Sequence, residues 1–170
     1  MAIVYCLGNM FANRKSKKLE HKNYVSKVRF DAEFAIYRDL SAAFLEMVHF
    51  QNDLFILIDH APRDPDKRKD YYADQQKKCR EAYNRAATQL YRNAPFIQER
   101  IFERFRSILN YVNMQLSNYS ALYLDDHMLD SRRELNEELK TCYKRTEDIN
   151  TRMDNLILDM RKYLKELDGL

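Results

Sequence analysis

Glycine and proline are nearly missing from this chain, whose 170 residues hold two Gly and three Pro. Gly costs backbone entropy in a helix and Pro removes an amide donor, so long stretches free of both are open to continuous helix. The same scarcity excludes some chemistry, because a phosphate-cradling loop and a nucleophile elbow both need glycines at fixed spacing. Cysteine is scarce and odd in number: Cys6, Cys79 and Cys142 give no disulfide framework and fit a reducing compartment. Long apolar runs are also missing. The uncharged start, residues 1–11, is too short for a spanning helix, which needs roughly 20 residues. Its positive charges come after the apolar stretch, the reverse of a secretory signal.

What is present is helical period. Leu135, Leu139, Cys142, Thr146, Ile149, Met153, Leu156, Met160, Tyr163 and Leu167 follow alternating four- and three-residue spacing, and Thr146 alone interrupts an apolar seam. A 3.5-residue period keeps one line of side chains facing a partner helix, so the expected fold is all-α: an elongated antiparallel bundle of about four helices with coiled-coil-like packing. The first helix is expected over about 13–59, with one stripe through Ile36, Leu40, Ala43, Met47, Phe50, Leu54 and Leu57. A second stripe beside it runs through Phe34, Tyr37, Phe44, Val48, Phe55 and Ile58, and a face that broad touches more than one neighbour. The prolines of Ala61-Pro62-Arg63-Asp64-Pro65 demand a turn, and a second helix follows over about 67–92. Pro95 suits the first turn of a third helix ending near Tyr123. Residues 124–130 read as a loop, Ser131 with Glu134 as a capping box for the last helix, and Gly169 as its end. At 1.5 Å per residue the last helix is roughly 55 Å long and the first about 70 Å, so the molecule is a rod. Residues 1–12 form an apolar stub and 13–170 a single bundle domain.

Net charge is only +3, but it is unevenly placed. Arg14, Lys15, Lys17, Lys18, Lys22, Lys27 and Arg29 face one acid, Glu20, within residues 13–30, while the region from Asp125 onward is acidic. An apolar start followed at once by Lys and Arg matches the cytoplasmic border of a membrane anchor, where each basic residue meets anionic lipid with about 1 kcal/mol. The same seven residues would also suit nucleic acid, since Lys and Arg neutralise phosphates, and Tyr24 and Phe30 are interleaved with them.

Other patterns carry less. Glu46-x-x-His49 has the spacing of a bundle metal ligand pair, but it occurs once and on a polar face, so no metal and no cofactor is expected. His21, His60 and His127 have no partner at ligand spacing. Cys79 and Cys142 fall on apolar faces, where a thiol acts as a small hydrophobe and not as a nucleophile. Tyr71-Tyr72 is a candidate contact patch.

The run Lys22-Asn23-Tyr24-Val25-Ser26-Lys27-Val28-Arg29-Phe30-Asp31-Ala32-Glu33-Phe34-Ala35-Ile36-Tyr37-Arg38-Asp39-Leu40-Ser41, with Asn93-Ala94-Pro95-Phe96-Ile97, resembles a family of small uncharacterised bacterial helical proteins. In that family the similar segment follows an N-terminal membrane anchor and a basic stretch, and here only residues 1–11 stand where the anchor lies. In architecture the chain is also similar to the membrane accessory proteins of type VI-B CRISPR systems, which oligomerise into pores in antiviral defence. Their divergent HEPN motif is an Arg followed after four to six residues by a His, and this chain departs from it: the only such pair, Arg14 and His21, falls inside the basic stretch and not in a helical pocket. The first resemblance implies membrane attachment and carries no activity; with the residues it leads to the expectation of a non-enzymatic scaffold or interaction protein at the cytoplasmic side of the inner membrane, or in the cytoplasm, acting through a homo-oligomer or a helical protein partner. The alternatives are an antiviral accessory protein forming a membrane pore and a nucleic-acid-binding module.

Overall fold

The computed structural model describes the backbone of residues 2–56, 60–124 and 132–168, and within these the side chains of 27–56, 60–124 and 135–167. Four α-helices occupy them: α1 (Ala2–Ile56), α2 (Pro65–Asn93), α3 (Glu99–Tyr123) and α4 (Arg132–Asp168). No strand occurs among the described residues. The all-α bundle expected from the 3.5-residue seam is therefore the fold.

The helix ends follow from local chemistry. Asp64 caps α2 by accepting from the amides of Asp66 at 3.1 Å and Lys67 at 3.3 Å, and Pro65 occupies the first turn, where its missing N–H costs nothing. Arg68 ties the preceding turn by donating to the carbonyls of Pro62 and Arg63 at 2.9 and 2.8 Å. Pro95 does not open α3 as its position suggests. It lies in a 3-10 turn, Ala94–Phe96, and α3 begins at Glu99 behind Gln98, whose side chain accepts from the Ile101 amide at 3.0 Å. Ile97 between them is extended and buried, so the chain needs this short break to turn back on itself while plugging the bundle end. The first helix starts at Ala2 and not near Asn13, so the division after residue 12 coincides with no break in helix. Ser131, Gly169 and the loop over 125–130 lie outside the described residues.

The helices form a square in chain order. α1 packs against α2 and α4, α3 against α2 and α4, and the α1–α3 diagonal is a lesser contact. Cross-helix pairs fix the directions. Glu33 meets Tyr163 and Asn52 meets Asn150, Arg85 meets Glu46, Arg80 meets Asn113, and Arg104 meets Asp159. Tyr72 with Tyr119 against Tyr91 with Phe102, Gln115 with Thr146 against Arg104 with Asp159, and the two α1–α4 pairs each show one number rising as the other falls, so the bundle runs up, down, up, down, as short connections favour.

The α4 seam faces this square. Cys142, Ile149, Met153, Leu156, Met160 and Leu167 are buried, while Leu135, Leu139, Thr146 and Tyr163 are half-buried. Aromatic edges lock the centre: Phe44 of α1 meets Phe105 of α3 with ring centroids 4.5 Å apart at 60°, and Tyr37 meets Tyr163 at 5.7 Å. Opposite these large side chains, Cys79, Ala82 and Ala86 give α2 a narrow buried face. Of the two stripes expected on α1, Phe34 departs from the plan, at 46% exposed. It stands about 60° round the helix from the buried Tyr37, at the edge of the packed face, so that face is narrower at this end than the residue list implies. Leu57 and Ile58 lie outside the described residues.

Candidate functional site

Three places on the bundle collect chemistry: a polar layer inside it, a charged groove between α3 and α4, and an apolar strip on the outer side of α1 and α4.

The polar layer begins at Thr146, the one polar seam position of α4. Its hydroxyl donates to the Cys142 carbonyl at 3.1 Å and accepts from Gln51 Nε2 and Gln115 Nε2, both at 2.9 Å. Gln115 also donates to the Cys142 carbonyl at 2.8 Å and accepts from Arg145 at 3.1 Å. Both glutamines are fully buried. Gln51 Oε1 finds no hydrogen-bond partner. These glutamines were not picked out from the sequence, yet the signal was there. Tyr37, Leu40, Phe44, Met47, Gln51 and Leu54 repeat three- and four-residue spacing, as do Ile101, Phe105, Ile108, Val112, Gln115 and Tyr119. Each seam carries one polar interruption, and the fold brings all three together.

The groove between α3 and α4 has a volume of about 860 Å³ and is lined by Glu99, Arg100, Glu103, Arg104, Asp148 and Arg152 among others. Its arginines are already engaged. Arg104 lies 2.6 Å from Asp159 Oδ2, and Arg152 donates to Tyr111 Oη at 2.8 Å while its guanidinium stacks 4.2 Å above that ring. A mixed, open and internally paired groove of this kind holds α3 to α4 and offers no convergent charge to a ligand.

The outer strip consists of apolar side chains left outside the core: Phe34, Leu45 and Ile56 on α1, and Tyr143 and Leu158 on α4, all between 46% and 62% exposed. Single exposed apolar residues are ordinary, but several along one line mark a contact surface.

The other sequence candidates fall as follows. The side chains of Arg14, Lys15, Lys17, Lys18 and Lys22 lie outside those described, although α1 runs through all five positions. Lys27 is exposed, and Arg29 pairs with Glu33 at 2.7 Å, a carboxylate that also accepts from Tyr163 Oη at 2.7 Å. Burial, and then that carboxylate, raises the Tyr163 phenol above its ordinary pKa. Glu46 and His49 diverge, Glu46 to Arg85 at 2.8 Å and His49 to Asp53 at 3.6 Å. Among the described residues no cluster of ligating side chains suits a metal ion. Cys79 and Cys142 are fully buried, and burial pushes the Cys79 thiol up to about 12 and that of Cys142 in the same direction. Tyr71-Tyr72 is not an exposed patch, because Tyr72 is buried with its ring centroid 4.8 Å from Tyr123 and 6.2 Å from Tyr119. Among the described residues no helix is long and apolar enough to cross a membrane. No family model matches the chain, and no similar curated protein or solved structure was found.

Proposed function

We propose that this protein is a non-enzymatic helical scaffold, held at the anionic cytoplasmic face of a membrane by the basic start of α1, and that it acts by associating with another copy of itself or with a helical partner. The observation that carries the reading is the outer apolar strip on α1 and α4, which the four-helix core leaves uncovered. Burying such a strip against another helix gains about 25 cal/mol per Å². Supporting the membrane half, Arg14, Lys15, Lys17, Lys18 and Lys22 crowd one short segment of α1 with only Glu20 among them.

The test of the membrane half is co-sedimentation of the full chain with phosphatidylglycerol vesicles and with neutral phosphatidylcholine vesicles. At about 1 kcal/mol per basic residue, neutralising Arg14, Lys15, Lys17 and Lys18 together weakens binding to the anionic vesicles by about three orders of magnitude. Binding that is unchanged in the fourfold variant, or equal on both vesicles, discards the lipid role. Sedimentation velocity of the wild type tests the association half.

A further inference from the structure

We draw no further inference here: the strongest candidate, the apolar line of Phe34, Leu45 and Ile56 along the outer side of α1, carries nothing, because exposed charges of both signs, Lys140 and Lys144 with Glu147 and Asp154, share its Ile56 end and nothing in the structure shows what covers it.

Discussion

Gln51 and Gln115 differ in a way that mutation should expose. Gln115 uses both ends of its amide, donating to Thr146 and the Cys142 carbonyl and accepting from Arg145. Gln51 donates once, to Thr146, and leaves Oε1 without a hydrogen bond. Leaving a buried polar atom unsatisfied costs about 1–3 kcal/mol, whereas removing an atom that is already unsatisfied relieves that cost. Gln51→Leu is therefore expected to leave stability unchanged or raise it by about 1 kcal/mol, and Gln115→Leu to lower it by about 1–3 kcal/mol, measured by urea unfolding. Equal losses in the two variants would refute this account of the layer. At this scale the sequence was only partly legible. Thr146 declared itself by breaking a single apolar seam, whereas Gln51 lies in a helix with two apolar stripes and Gln115 beside the apolar Leu116, where a polar residue reads as an edge. Tyr72 misled for a related reason, since adjacent tyrosines on a polar helix show nothing of the partner helix that covers one of them.

Among the elements, α4 was the most legible and remains the most informative to perturb. Its seam is a strict repeat, and each apolar member in the helix's central stretch is buried as that repeat demands. Leu156 is fully buried, so Leu156→Ala removes apolar contact and leaves a cavity, at a cost of about 2–5 kcal/mol in urea unfolding. The neighbouring Leu158, at 52% exposed, should lose less than about 1 kcal/mol on the same truncation. Comparable losses at both positions would mean that α4 is rotated from the orientation described. The element boundaries were harder. Pro95 is compatible with either a first helical turn or a 3-10 turn, and what decides is the burial of Ile97 and the bond from the Gln98 amide to Tyr37 Oη at 2.9 Å, both set by distant chain.

Taken as a whole, the molecule concentrates weak acids in its interior. Burial pushes Tyr37 and Cys79 up to about 12, and raises Tyr119, Cys142 and Tyr163 as well. The folded chain therefore holds these protons to higher pH than the unfolded chain does. Stability is complete below the unfolded values, about 8.5 for a thiol and 10 for a phenol, and drains away as pH climbs past them toward the folded values. Each group contributes a slope of up to about 1.4 kcal/mol per pH unit within its window. Urea midpoints followed by circular dichroism should fall steeply above about pH 9, and the double variant Tyr37→Phe with Cys79→Ala should flatten the fall. A midpoint that holds or rises through that range would contradict the burial of these groups. The fold class, the helix order and the loss of both thiols to the core were readable from period and composition alone. The outward strip was not, because which apolar residues are left over depends on how four helices share one core.

The three-helix polar layer has one more consequence. A strict heptad is blind to sliding: moving α4 seven residues along its neighbours would still set apolar seam against apolar seam, with Leu139 or Met153 where Thr146 now stands. Only the meeting of Thr146 with Gln51 and Gln115 tells these alignments apart, since a displaced helix would seal two amides in the dry interior with nothing to bond. Three polar side chains thus act as an index mark, giving a repetitive ruler a single zero.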